Sequence, residues 1–257
     1  MTGLLDGKRI LVAGVLTEAS LGFATAKVAM EQGATVVVSN FGRGMSITRR
    51  VIKKLPSEPP LLELDVTDPE HLAGLADALR EHVDGLDGVV HAIAFAPQEA
   101  MGETFVEVDW SPVATALQVS TWSFAALTNA CLPLFGESGG SVVGYDFDAT
   151  VAWPAYSWMG VAKAGLESAT RYLARQLGPR GIRVNLVSAG PLKSMAMRSI
   201  PGAEAFESSW KERAPLGWDS HDFTPAASVG VALLSDLFAA SSGEVIHVDG
   251  GYHAVGT

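Results

Sequence analysis

Two patterns of apolar residues alternate along the chain. Short runs that are almost continuously apolar predict strands, and these runs are residues 9–14, 35–40, 61–66, 88–94, 141–147, 182–190 and 244–251. Longer stretches with apolar residues at every third or fourth position predict helices, which include residues 20–32, 69–82, 112–132, 155–177 and 224–234. Strands without a polar face are typical of a sheet that helices cover on both sides.

The alternation of strand and helix defines the predicted fold. Two strands joined through a helix form a right-handed crossover, which makes the strands parallel. The chain has 257 residues, 48% of them apolar, and no internal repeat or linker-like stretch divides it. We therefore expect a single doubly wound α/β domain of the Rossmann type over residues 1–257, with a parallel sheet of about seven strands.

Charge and cysteine content narrow the range of partners. The formal net charge of −10 argues against nucleic acid as a partner. The single cysteine, Cys131, rules out a disulfide framework and predicts a buried structural thiol, as in a reducing cytoplasm. The sequence shows no signal peptide and no apolar run of the roughly eighteen residues that span a bilayer. We expect a cytoplasmic protein without a membrane segment or a metal site.

The turn after the first predicted strand has the features of a phosphate-binding loop. Gly14 permits a tight turn, and Gly22 allows the first helix to lie close to the sheet. Ser20 can cap this helix or bond a phosphate oxygen, and Leu21 follows it as a further cofactor-binding candidate. The unpaired amides of a helix start attract the pyrophosphate of a dinucleotide. Positions 16 and 19 lack the glycines of the usual three-glycine motif, so an ordinary strand–helix turn remains the alternative.

The ends of the second and third strands predict the adenosine side of such a site. No acidic residue follows the second strand; Phe41 is placed to lie against an adenine, and Arg43 to stack or to hold a 2′-phosphate. After the third strand, Asp65 is placed to accept from the adenine amino group, with Val66 beside the ring. A solvated loop and a helix cap at Asp65 or Asp68 are the alternatives.

The stretch YSWMGVAK places Tyr156 seven residues before Lys163. In an α-helix this spacing leaves the two side chains within ~20° of each other, and ~4.5 Å further apart along the axis than a spacing of four residues does. Val143 occupies the position thirteen residues before the tyrosine, where reductases with the shorter spacing carry a serine. Tyr145 and Phe147 stand at the end of the fifth strand. A surface tyrosine with a solvated lysine is the alternative.

Several segments together resemble one family. LLDGKRILVAG, LLELDV, LDGVVHAIAF, DFD, PAYSWMGVAKAGLES, NLVSAGP, RAPLGW and VDGG, which span nearly the whole chain, resemble segments of the enoyl-acyl-carrier-protein reductases, especially the actinobacterial ones. These enzymes are a divergent branch of the short-chain dehydrogenase/reductases. The resemblance implies NADH as cofactor, an enoyl chain on acyl carrier protein as substrate, a role in fatty-acid elongation, and a homotetramer.

The resemblance also implies a role for individual residues. Tyr156 would donate a hydrogen bond to the thioester oxygen, Lys163 would bind the nicotinamide ribose, and Phe147 would position the chain. Ser194 would contact the pyrophosphate, and Ile93 would lie along the cofactor. A core aromatic residue and a helix cap are the alternatives for Phe147 and Ser194.

Residues 192–213 would form a lid over the substrate. The pocket residues predicted from the sequence are Met159, Met195, Met197, Ile200 and Phe206. Adaptable methionines suit alkyl chains of variable length, although an amphipathic helix of the core has the same pattern. The segment is shorter than in the relatives it resembles, which predicts a preference for shorter acyl chains.

Four cations flank the predicted lid and are candidates for contact with the acidic carrier protein, namely Lys193, Arg198, Lys211 and Arg213. Solvated surface charge is the alternative for each. In HAIAF, Ala92 and Ala94 depart from the family pattern, which removes a hydroxyl near the cofactor. Two other functions remain open, a carbonyl or 3-oxoacyl reductase and a non-catalytic nicotinamide-binding regulator.

Overall fold

A computed structural model of the protein describes residues 3–256 and contains one parallel sheet. Its strands are β1 Arg9–Ala13, β2 Thr35–Asn40, β3 Leu61–Glu63, β4 Gly88–His91, β5 Gly140–Asp146, β6 Ile182–Ala189 and β7 Val245–Val248. The seven strands follow the order β3-β2-β1-β4-β5-β6-β7, and every neighbouring pair is parallel. The predicted doubly wound α/β fold is thereby confirmed.

Helices cover both faces of this sheet. They are α1 Leu21–Glu31, α2 Gly44–Val51, α3 Pro69–Arg80, α4 Trp110–Leu117, α5 Ser123–Cys131, α6 Ser157–Leu177, α7 Met195–Arg198, α8 Ala203–Arg213 and α9 Thr224–Leu234. One core cluster joins α1 and α9 to the sheet, and a second joins α3, α5 and α6 to its other face. Alternate strand residues, such as Val12 and Leu11, enter the two clusters, which explains the nearly continuous apolar runs.

Two predicted elements have different boundaries in the structure, namely the third strand and the helix 112–132. The third strand stops at Glu63 because Glu63 pairs with Asn40, the last residue of β2, and no partner strand continues beyond it. The predicted helix 112–132 is interrupted by a π-helical turn at Gln118–Trp122, between α4 and α5. Such turns widen a helix locally and are frequent at functional sites.

Cys131 lies fully buried on α5, and burial raises the pKa of its thiol to about 12. The thiol is therefore protonated near neutrality and unsuited to nucleophilic chemistry, as the sequence predicts. Within residues 3–256, no helix is long and apolar enough to cross a membrane. The same residues contain no cluster of metal-ligating side chains.

Candidate active site

The carboxyl ends of the parallel strands form one edge of the sheet, where a crevice opens between β1 and β4. The chain order reverses at this pair of strands, which is the point where open α/β sheets bind ligands. Gly14 follows β1 with φ of +96°. A Cβ atom on this glycine would lie 2.3 Å from the carbonyl oxygen of Ala92 and 2.9 Å from a side-chain carbon of Ile93. Only glycine fits here, and the side chain of Ile93 lies directly against this turn, while contact of either residue with a cofactor stays a prediction.

The start of α1 offers free amides beside this turn. Ser20 caps the helix: its hydroxyl accepts from the amide of Phe23 at 3.2 Å and donates to the carbonyl of Thr17 at 2.7 Å. The amides of Leu21 and Gly22 find no acceptor among the described residues. This arrangement fits the pyrophosphate of a dinucleotide, which would be held by the backbone amides rather than by the occupied Ser20 hydroxyl.

The predicted adenosine side lies at the ends of β2 and β3. Phe41 is 49% exposed, so its ring is accessible for stacking against an adenine. Asp65 accepts from the amide and the hydroxyl of Thr67 with one oxygen, and its other oxygen remains available. The side chain of Val66 is buried in the core, so only its backbone can face an adenine. Asp68, not Asp65, caps α3 by accepting from Glu70.

Tyr156 lies inside the fold, with 7% of its surface exposed. Its ring meets that of Phe147 edge to face, with the centroids 5.2 Å apart. Burial, together with the charge of Asp146, raises the pKa of the phenol, so the hydroxyl stays protonated as a donor. The hydroxyl forms no hydrogen bond to any described residue, yet it is not among the polar atoms sealed from solvent. The alternative of a surface tyrosine is wrong.

The helix that carries Lys163 starts later than predicted. It begins at Ser157, and Tyr156 precedes it rather than forming part of its first turn. Ala155 and Ser157, on either side of the tyrosine, have φ of +56° and +44°. Non-glycine residues in this region cost about 1–3 kcal/mol each and cluster at functional sites. The same-face geometry of an ideal helix therefore does not apply between Tyr156 and Lys163, and the backbone strain sets the position of the tyrosine.

We expect relief of this strain to stabilise the protein. Glycine at position 157 adopts the observed φ without a clash and removes a buried hydroxyl that has no partner among the described residues. Ser157→Gly should raise the free energy of unfolding by about 1 kcal/mol in urea titrations. The matched control is Ser168→Gly in the interior of α6, which should lower it by about 0.5–1 kcal/mol. A loss of similar size in both variants would show that position 157 stores no strain.

Lys163 is buried beside a carboxylate that the sequence analysis did not single out. Its ammonium donates to the carbonyl of Tyr145 at 2.8 Å and lies 3.9 Å from Oδ1 of Asp146. Neither oxygen of Asp146 has a hydrogen-bond partner among the described residues. Burial raises the pKa of Asp146 to about 7, against the attraction of Lys163. Burial likewise lowers the pKa of Lys163, and Asp146 opposes that shift.

A second buried polar group lies behind this pair. His91 is fully buried at the end of β4, and its Nε2 is 2.8 Å from Oγ of Ser123. Because Ser123 donates its own proton to the carbonyl of Val119, Nε2 of the histidine carries the proton. Burial and the nearby Lys163 lower the pKa of His91 to about 3, so the ring is neutral. The sequence offers one indication of a role for Asp146 and His91, since each is a polar residue at the end of an apolar strand.

Tyr145 faces away from the site. Alternation along β5 turns its ring into the core cluster with α1, where its hydroxyl pairs with Thr25. Val143 enters the same cluster, so position 143 offers no hydroxyl beside Tyr156.

An aromatic cluster joins Phe147 to the predicted lid. Its ring centroid is 5.3 Å from Trp153, 5.8 Å from Phe206 and 5.7 Å from Trp210. Tyr252 stacks on Trp210 at 3.7 Å. The tryptophans and Tyr252 were not singled out from the sequence, because aromatic residues scattered along a chain carry no spacing that relates them. Helix α8, in the predicted lid, is thereby held against the side of Phe147.

The predicted pocket residues divide into three groups. Met197, Ile200 and Phe206 pack in the aromatic cluster, and Met159 packs beside Tyr156. A cavity of about 270 Å³ lies among residues of the predicted lid, and its lining includes Met197 and Ile200. Met195 is 53% exposed and stays outside these contacts.

Ser194 takes the alternative role considered for it. Its hydroxyl accepts from the amide of Met197 at 3.1 Å and caps the short helix α7. A contact with pyrophosphate stays a prediction. The position after β6 nevertheless places Ser194 at the same edge of the sheet as Gly14 and Lys163.

Fold and site together define a class, that of dinucleotide-binding oxidoreductases whose buried tyrosine and lysine lie at the carboxyl edge of the sheet. Comparison with known proteins identifies the family. A family model described as Enoyl-(Acyl carrier protein) reductase matches residues 14–253, and the chain belongs to this family.

Three relatives illustrate the similarity. The chain is 46% identical to the enoyl-[acyl-carrier-protein] reductase [NADH] of Mycolicibacterium smegmatis over 98% of both chains. It is 34% identical to the enoyl-[acyl-carrier-protein] reductase [NADH] FabI of Aquifex aeolicus, over 99% of this chain and 94% of the other. It is 33% identical to the enoyl-[acyl-carrier-protein] reductase [NADPH] FabI of Staphylococcus aureus over 98% of both. The resemblance inferred from the sequence is confirmed.

Proposed function

We propose that the protein reduces the trans-2 double bond of enoyl thioesters carried on acyl carrier protein, in fatty-acid elongation. The observation that carries this proposal is the buried phenol of Tyr156, which has no hydrogen-bond partner among the described residues and lies beside Phe147 and close to Asp146, the carboxylate that faces Lys163. Family membership and relatives named as NADH-dependent reductases support it. Bound NADH would supply the hydride that reaches the β-carbon of the substrate, and a proton from solvent would complete the reduction at the α-carbon.

Tyr156 stabilises the negative charge that develops on the thioester oxygen. Its raised pKa keeps the proton on the phenol, so the hydroxyl donates a hydrogen bond rather than carrying a competing charge. Because Tyr156 is largely buried, such a donor stabilises the transition state more than it would in water. Phe147, held by three other aromatic rings, limits where the acyl chain can lie.

Lys163 holds the nicotinamide ribose in this proposal. One of its three protons is bonded to the carbonyl of Tyr145, which leaves the others for ribose hydroxyls. Asp146 offsets the cost of burying the ammonium, which keeps more of it charged. Gly14, Leu21, Phe41 and Asp65 complete the cofactor site. Ile93 lies along the same crevice.

The assay that tests the function measures NADH oxidation in parallel reactions. We expect turnover with a trans-2-enoyl thioester and none with a 3-oxoacyl thioester or without substrate. Turnover of the 3-oxoacyl thioester alone would instead identify a carbonyl reductase, and a protein that binds NADH without any turnover would be a regulator. Val143 in place of a hydroxyl residue weighs against the carbonyl reductase.

The lid supports a preference for shorter acyl chains. Phe206 and Trp210 of α8 close against Phe147 and Trp153, which limits the space for an acyl chain beside Phe147. Rates measured with a series of enoyl chains should peak at medium length. A rate that rises continuously up to very long chains would contradict this proposal.

Two of the four candidate cations are suited to the carrier protein. Lys193 pairs with Glu207 at 2.8 Å, and Arg213 lies over the ring of Tyr252, so both are engaged internally. Arg198 and Lys211 form no ion pair with a described residue. Their exposed charges suit an acidic partner.

We expect charge reversal at these two positions to weaken only carrier-linked turnover. The double variant Arg198→Glu, Lys211→Glu should raise KM for the carrier-linked substrate by roughly tenfold, because close opposite charges become like charges. KM for a short thioester without the carrier should stay unchanged. Lys53→Glu, remote from the lid, serves as the control. Equal KM values for the carrier-linked substrate in all proteins would refute the contact.

A homotetramer and a cytoplasmic location also stay proposals. The first is supported by the family resemblance, and the second by the composition of the chain.

A further inference from the structure

The NADH preference expected of this chain lacks its usual sequence basis, since no acidic residue ends β2. In doubly wound folds, an acidic side chain at this place binds the ribose 2′-hydroxyl of NADH, and an arginine there accommodates the 2′-phosphate of NADPH. Here the loop carries Arg43 instead. Relatives named for each nucleotide exist, so the family alone does not decide the preference.

The structure brings an acidic side chain to this loop from the neighbouring strand. Glu63 is the last residue of β3 and pairs in register with Asn40, the last residue of β2. Its Oε1 accepts from the amide of Gly42 at 3.1 Å. Gly42 has φ of +53°, so the loop turns its amide toward the carboxylate. Glu63 thus occupies the place that an acidic residue of β2 would otherwise take.

The carboxylate of Glu63 has one oxygen without a partner among the described residues. Its side chain is exposed, and neither Glu63 nor Arg43 forms an ion pair with any described residue. Oε2 has no hydrogen-bond partner among these residues and can accept from a hydroxyl. Two opposite, unpaired charges therefore border one loop.

Asn40, the other polar side chain here, is already engaged. Its amide nitrogen donates to the carbonyl of Val15 and to the hydroxyl of Thr48, both at 2.8 Å, and its oxygen accepts from the amide of Phe41. These bonds also hold the end of β2 against the turn after β1. A ribose bound at the end of β2 would therefore lie next to a pyrophosphate bound at that turn. Glu63 is the remaining acceptor beside the ribose.

We propose that Glu63 selects NADH over NADPH, because its carboxylate accepts from the ribose 2′-hydroxyl and repels a 2′-phosphate, whereas Arg43 acts in the opposite direction. The inference rests on the proposed nicotinamide site. It assigns the preference to a residue outside the strand that normally carries it.

The test uses the isosteric variant Glu63→Gln, which keeps an oxygen for the amide of Gly42 and removes only the charge. Equilibrium binding of NADH and NADPH is measured by nicotinamide fluorescence, and binding of 5′-ADP and 2′,5′-ADP by calorimetry. We expect affinity for NADPH and 2′,5′-ADP to rise by roughly tenfold, as the loss of a nearby like charge implies. Affinity for NADH should change by less than about threefold, since the ribose hydroxyl can instead accept from the amide nitrogen that takes the place of Oε2.

Two further variants make the outcome decisive. Glu58→Gln, before the other end of β3, makes the same change in net charge and should leave both affinities unchanged. Adding Arg43→Gln to Glu63→Gln should abolish the gain for NADPH. An unchanged ratio of NADPH to NADH affinity in Glu63→Gln would overturn the inference while leaving the proposed function intact. Failure of the wild-type protein to bind either nucleotide would overturn both.

Discussion

Tyr156→Phe should lower kcat by roughly one to three orders of magnitude, because it removes the hydrogen bond to the thioester oxygen as charge develops there. The buried phenol contacts Phe147 through its ring, and the variant retains this ring. We therefore expect NADH affinity and the free energy of unfolding to stay close to wild type. Steady-state rates with a trans-2-enoyl thioester, together with nucleotide binding, separate loss of chemistry from loss of the site.

The matched control is Tyr172→Phe. Tyr172 lies on the same helix as Lys163 but is 70% exposed, so its hydroxyl has no role in the site. Loss of activity in Tyr156→Phe alone supports the donor role. If both variants retain the wild-type rate, Tyr156 takes no part in the mechanism.

Lys163→Met should make stability depend on pH above neutrality. The substitution removes the ammonium group that faces the buried carboxylate of Asp146, and the pKa of that carboxyl rises beyond its present value of about 7. A carboxyl whose folded pKa exceeds the unfolded one stabilises the fold below the unfolded pKa. This stability is lost as pH rises through the folded pKa. In the wild-type protein the loss of stability caused by Asp146 ends near pH 7, whereas in the variant the loss continues as the pH rises further.

The free energy of unfolding of Lys163→Met should fall relative to wild type by up to about 1.4 kcal/mol per pH unit between pH 7 and 9. Urea titrations across this range measure the slope. The double variant Lys163→Met, Asp146→Asn carries no buried carboxylate and should regain most of the loss at pH 9. Lys53→Met, at an exposed position, should show no added pH dependence. Parallel curves for Lys163→Met and wild type would mean that Asp146 does not depend on Lys163.

The sequence was sufficient for the fold because its strands lie between two helical layers. Residues such as Leu11 and Val12 face different core clusters, so apolar runs and helical periodicity translate directly into the sheet. The boundaries were less predictable, since the end of β3 at Glu63 depends on where β2 ends. The late start of α6 depends on strain around Tyr156, which no composition or spacing reveals.

Some residues of the candidate site could be predicted because the local backbone or a short motif requires one particular residue type. Gly14 is required by its turn, and Tyr156 and Lys163 form a short motif. Asp146, His91 and Glu63 were missed because their importance arises from partners on other strands and helices. Ser194 shows the converse, since a motif residue also has an ordinary structural role as a helix cap.

The stack of Trp210 on Tyr252 links the lid to a segment about forty positions further along the chain. Ser209 and Arg213 of α8 also bond the hydroxyl of Tyr252, at 2.7 and 3.2 Å. Any outward swing of α8 must either break these contacts or carry residues 249–254 with it. If substrate entry requires such a movement, α8 and residues 249–254 would open together. Amide hydrogen exchange should then become faster in both segments at the same time.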